Sequence, residues 1–247
     1  MSRRKHVEQA LLLAGLALLG VSLTPLHASA DDADDARVIV AHGSGEVRVR
    51  PDSLAVDVGR EARAATLDEA RNDVNTTMRR VIDAVHGLGL PNLTVETSVL
   101  QIQPVYAPIK NSTDVPAIIG YSVSNHVSVT VEGAAADALG DQASSILDAA
   151  VGAGANNLGD VRFYLADPSA ARDQALTAAV QAAAHDAATM ASAAGVTLGP
   201  LSSIEESTGS PVVERALAFD AYAGAPTPIE VGDLNVTSDV TAKFSIE

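Results

Sequence analysis

Cysteine and tryptophan are absent from the 247-residue chain, lysine is reduced to Lys5, Lys110 and Lys243, and aromatic residues make up only 3%. Without cysteine there is no disulfide, no thiolate nucleophile or thiol peroxidase, no cysteine-ligated iron–sulfur or zinc site, and no lipoprotein anchor. Basic residues are scarce as well: 16 Lys+Arg against 31 Asp+Glu leave a formal charge of −15. Nucleic-acid binding needs basic patches that release counterions, so no nucleic-acid partner is expected. Beyond Met1 the thioether sulfurs are Met78 and Met190, both at positions expected to be buried, which argues against scavenging by sulfur. What remains is a hydrophobic fraction of 47%, ample for a core. The length fits one domain or two small ones.

The first thirty residues read as an export signal. Arg3, Arg4 and Lys5 precede an apolar run over 10–19, and Ala28-Ser29-Ala30 ends the segment in the small-x-small pattern of a signal peptidase site. A Sec-type signal peptide cleaved after Ala30 is expected, with a periplasmic or secreted product. Ser2-Arg3-Arg4 touches the twin-arginine pattern, but His6 and Val7 follow where stronger apolar residues belong. The apolar run falls short of the ~20 residues that span a bilayer, so no transmembrane anchor is expected after cleavage. Residues 31–36 are expected to be an acidic, disordered tail.

Hydrophobic periodicity then lays out the folded part. Residues 37–49 read as a strand interrupted at Gly43-Ser44-Gly45; no third glycine and no helix follows, so this is read as a bulge and not a phosphate loop. Leu54, Val56 and Val58 alternate as a second strand. Thr66-Leu67-Asp68-Glu69 is a capping box, and Leu67, Ala70, Val74, Met78, Val81, Ile82 and Val85 continue it as a one-faced helix. After a third strand at 93–106, Tyr121, Val123, Asn125, Val127, Val129 and Val131 share one phase of a fourth, with serines, His126 and Thr130 on the other. Such alternation marks an antiparallel sheet with one packed face. Leu139, Ala143, Ile146, Ala150 and Val151 suggest a second helix, and 161–165 a short strand. Asp167-Pro168 opens a third helix that stops at Gly195, with Ala175, Ala179, Ala183, Ala187 and Ala194 as a face for close packing. Strands at 197–207 and 235–246 close the chain, the last with no element after it to cover its edge. The expected class is α+β: antiparallel sheets with three helices packed on them, order ββαββαβαββ.

Two features stand outside this pattern. Residues 208–227 are longer than ordinary connections and hold Val212, Val213, Leu217 and Phe219, which are too irregular for a core and are read as assembly contacts. Asn125 interrupts a buried row of valines, where an unpaired amide costs ~1–3 kcal/mol. It is either locally accommodated, at a bulge or by a backbone contact, or a register device or interchain hydrogen bond.

The order of elements, with particular words, resembles the SIMPL-domain family, which includes a bacterial oxidative stress defence protein and a periplasmic immunogenic protein. The words are Gly43-Ser44-Gly45-Glu46-Val47 with Pro51-Asp52, Gly120-Tyr121 leading to Ser124-Asn125, and 149–156 continuing to Phe163. Asp167-Pro168, Ala194-Gly195-Val196 with Leu198-Gly199, and Pro228-Ile229 complete the set. The resemblance covers nearly all of 37–247, as one SIMPL domain or two α+β subdomains at about 37–115 and 116–247. It implies a periplasmic or secreted α+β protein, a homo-oligomer (at least one member forms a large ring), and a link to oxidative stress defence, with no catalytic residues to carry over. Residues 182–187 contain no Arg or Lys where the family resemblance leads one to expect more of them, which puts in doubt any electrostatic partner contact implied for that stretch.

Chemistry is hard to find. The histidines outside the leader, His42, His86, His126 and His185, share no metal-ligand spacing, and no Gly-x-Ser-x-Gly elbow occurs. No catalytic, cofactor-binding or metal-ligating residue is assigned, and no cofactor is expected. The sequence reading is a non-enzymatic periplasmic protein that self-assembles and contributes to oxidative and envelope stress defence indirectly. The alternative is a periplasmic ligand-binding protein or hydrolase with an unrecognised pocket.

Overall fold

A computed structural model describes residues 37–108, 115–207, 228–247 and the backbone of 214–217. Its elements are β1 (Val38–Val49), β2 (Ser53–Ala64), α1 (Leu67–His86), β3 (Leu93–Tyr106), β4 (Ile118–Val131), α2 (Leu139–Ala153), β5 (Asn157–Tyr164), α3 (Ser169–Ala194), β6 (Leu198–Ser207), β7 (Glu214–Leu217) and β8 (Leu234–Ile246). The expected α+β order is present, with one addition: β7, inside the stretch read as a loop, pairs antiparallel with β5. The strands form two antiparallel sheets, β3-β4-β2-β5-β7 and β1-β8-β6.

Alternation along the larger sheet decides where α1 and α2 lie. Leu54, Val56 and Val58 of β2, Val123, Val127, Val129 and Val131 of β4, and Val161 and Phe163 of β5 turn to one side. There they pack with Val74, Met78, Val81 and Val85 of α1 and with Leu139, Ala143, Ile146 and Leu147 of α2. Each of the larger side chains contributes ~1.5–3 kcal/mol when fully buried, so most of the apolar driving force among the described residues sits in this layer. The start of α1 is held as its capping box requires. Thr66 Oγ1 accepts from the Glu69 amide at 3.3 Å, and Glu69 Oε2 accepts from the Thr66 amide at 3.4 Å. On α2, Val151 is 46% exposed and Leu147 is buried in its place, because one step of about 100° past Ala150 leaves the stripe that faces the sheet.

On the smaller sheet, α3 buries Ala171, Ala175, Ala179, Ala183, Ala187 and Ala191, every fourth residue. Ala194, expected on this face, is exposed. The alanine stripe meets Gly43 and Gly45: a Cβ at Gly43 would collide with the Ala179 carbonyl and the Ala183 amide, and one at Gly45 with the Ala175 carbonyl. The expected bulge is therefore corrected. β1 pairs with β8 residue for residue from Val38 to Val49 without a shift, and the glycines serve to let the helix backbone down onto the strand. The alanine face is thus used within the chain. Gly195, at φ 69°, ends α3 in the left-handed conformation that suits glycine. Two further expectations are corrected. β8 is not an edge, since β1 and β6 flank it on both sides. Met190 is 40% exposed, while Met78 is buried.

Candidate assembly surface

Among the described strands the free edges are β3 and β7 of one sheet and β1 and β6 of the other. An edge presents unpaired amides and carbonyls, and proteins usually guard it with charge, proline or a bulge. β1 carries Glu46 and Arg48, β6 carries Glu205 and Glu206, and β7 carries Glu214 and Arg215. β3 differs. Its sole charge is Glu96, and neither 97–106 nor 115–131 contains Asp, Glu, Lys or Arg.

Burial along β3 changes halfway. Leu93 and Val95 are partly buried against the core, but α1 and α2 lie over β2 and β4 and leave the outer half of β3 uncovered. Leu100 is 64% exposed and Ile102 49%, although they stand opposite Asn125 and Val123 on the helix-covered side of β4. Tyr106, Ile118 and Ile119 near the end of the β3–β4 arm are also more than half exposed. Several exposed large apolar side chains on strand segments without Asp, Glu, Lys or Arg offer apolar surface of the kind that marks interaction sites.

Asn125 stands where the covered core gives way to this arm. It pairs with Arg60 of β2 and Leu100 of β3 in regular register, one position from the β3 shift between Thr97 and Val99. Its Oδ1 is buried without a partner, as is Arg60 Nε. Other Arg60 nitrogens donate to Asp73 Oδ2 at 3.0 Å and to the Gly154 carbonyl at 3.4 Å. The register at Asn125 itself is unshifted, and no backbone donor satisfies its Oδ1. Of the other residues singled out from the sequence, Leu217 pairs with Val161 through β7 and β5, away from the β3 edge. Val212, Val213 and Phe219 lie outside the described residues. Sequence reasoning missed Leu100, Ile102, Ile118 and Ile119; the available signal was the loss of charge after Glu96.

The opposite face of the larger sheet is polar. Ser122 Oγ donates to Glu61 Oε1 at 2.9 Å and Arg63 Nε donates to the same oxygen at 3.1 Å. The Ser122 bond, then Arg63, hold the Glu61 carboxyl below its ordinary value. This pair borders a shallow cleft of about 400 Å³ with Gln101 and Gln103. A second cleft of about 410 Å³ contains Asp57, His126, Ser128, Asp160 and Arg162. There Arg162 reaches Asp57 at 3.5 Å. His126 lies over Gly59, where a Cβ would come within 2.7 Å of its ring. Among the described residues, no three His, Asp or Glu side chains are placed to hold a metal ion, and no helix is long and apolar enough to cross a membrane.

Two antiparallel sheets, the larger packed with α1 and α2 and the smaller with α3, and a free β3 edge on the larger one define an α+β protein of distinctive topology. The SIMPL family model, described as a protein of unknown function (DUF541), matches residues 39–244, and the chain belongs to that family. It is 32% identical over 220 residues to the 26 kDa periplasmic immunogenic protein of Brucella melitensis, covering 86% of this chain and 85% of the relative. It is 28% identical over 246 residues to the uncharacterized protein YggE of Escherichia coli K12, covering 96% and 93%. The YggE protein of Edwardsiella ictaluri matches at 26% over 235 residues.

Proposed function

We propose that this chain is a non-enzymatic periplasmic protein that self-assembles and contributes to oxidative and envelope stress defence indirectly, through the assembly and whatever it holds in place. The observation that carries the reading is the free edge of β3, without Asp, Glu, Lys or Arg from Thr97 to Tyr106, with Leu100 and Ile102 exposed on the side that helices cover elsewhere. In a chain of charge −15, this is where a like-charged copy can approach without strong repulsion. A periplasmic location is supported by the basic start and small-x-small site at 1–30, with cleavage after Ala30, and by the periplasmic description in the name of the Brucella relative. The absence of thiols and the pairing of Glu61 and Asp57 with arginines favour a non-catalytic role. A ligand-binding reading draws on the two polar clefts and gives the opposite sheet face to a small polar molecule.

The test is the solution mass of the chain from residue 31 onward, measured by light scattering at micromolar concentration. A defined multiple of the chain mass is expected. A single-chain mass at every concentration tried would overturn the proposal.

A further inference from the structure

We infer that the free edge of β3 pairs antiparallel with the same edge of a second copy, across a two-fold axis at Gln101, so that two five-stranded sheets join into one. This rests on the self-assembly reading and names its contact. The occupant follows from what the edge offers. A row of unpaired amides and carbonyls is matched by another strand, and charge favours this strand in particular, because 97–106 is free of ionisable groups except Tyr106 in a strongly acidic chain.

The register follows from what interrupts β3. Its pairing with β4 shifts between Thr97 and Val99, which leaves Ser98 as a bulge. At the other end Pro104 has no N–H to donate. The uninterrupted stretch is therefore Val99 to Gln103, and its midpoint is Gln101. About that point Leu100 stands opposite Ile102 of the second copy, and Ile102 opposite its Leu100. The four side chains then form one apolar cluster on the helix-covered side, where both residues are now exposed. Directly opposite residues share a face of the joined sheet, so Gln101 meets Gln101 on the polar side. Any other centre is poorer. Moving it to Leu100 sets Ile102 against Ser98, and moving it to Ile102 sets Leu100 against the proline.

A strand accommodates proline with its nitrogen on the unpaired side. This places Leu100, Ile102 and Pro104 as the residues whose backbone groups face the free edge. Gln101, of opposite parity, then falls in a non-hydrogen-bonded pair, where the Cα atoms come to about 4.5 Å. That spacing lies within the range a disulfide spans.

Because the chain has no cysteine, Gln101→Cys introduces a single thiol on an exposed strand. Glu205→Cys on the β6 edge serves as the comparison. Under mild oxidation, Gln101→Cys should form a covalent dimer at least tenfold faster than Glu205→Cys at equal concentration. Mixed Val99→Cys and Gln103→Cys proteins should form a heterodimer, which confirms the register. If the unaltered chain has a multiple mass but Gln101→Cys cross-links no faster than Glu205→Cys, β3 pairing is wrong while self-assembly stands. If the unaltered chain has a single-chain mass, both fail.

Discussion

Among the described glycines, Gly43 and Gly45 are approached most closely, since α3 rests its backbone where their side chains would be. Gly43→Val should destabilise the chain by about 3 kcal/mol, at the upper end of ordinary overpacking because the colliding atoms are backbone. Chemical denaturation of the variant checks this. Sulfur chemistry separates by exposure: peroxide should convert Met190 to the sulfoxide well before Met78, without catalytic turnover, and peptide mass spectrometry reads the order. Tyr164 donates to Glu132 Oε1 at 3.2 Å, and burial, then the Glu132 charge, push its phenol up to about 12. A folded-state value raised above the unfolded value of about 10 contributes stability that is complete below pH 10 and lost as pH rises through 12. The melting temperature should therefore fall between pH 10 and 12, and less steeply in Tyr164→Phe.

At the scale of elements, α1 was legible almost to the residue because its cap and its period are both local signals. Thr66→Ala should remove the cap at a cost of about 1 kcal/mol, measurable by thermal melting. The alternation of β4 was equally plain. The glycines of β1 misled because a strand glycine admits two readings, a bulge or the close approach of another element. Only the partner, here an alanine stripe more than a hundred residues away, decides between them. The final strand misled for a related reason. Its pairing partner on one side is β1, at the other end of the described chain, and sheet order between distant strands leaves no local trace. The β3 patch escaped notice because exposed leucine and isoleucine look like core residues until the footprint of the helices is known.

The whole molecule carries −15 formal charges, and the proposed contact surface carries none. In the proposed assembly, long-range repulsion opposes association and short-range apolar and backbone contacts favour it. Raising salt screens the repulsion within a Debye length of about 10 Å at 0.1 M. Association should thus strengthen between low and moderate salt, as sedimentation velocity would register; an assembly built on ion pairs would weaken instead.

The most direct measurement compares light-scattering masses of the unaltered chain from residue 31 and its Leu100→Asp, Ile102→Asp variant, side by side at moderate salt. Both positions are exposed in the single chain, so circular dichroism and cooperative melting should be retained. The unaltered chain should give a multiple of the single-chain mass and the variant a smaller assembly or the single chain. Equal multiple masses for the two proteins, or a single-chain mass for the unaltered one, would contradict assembly through the β3 arm.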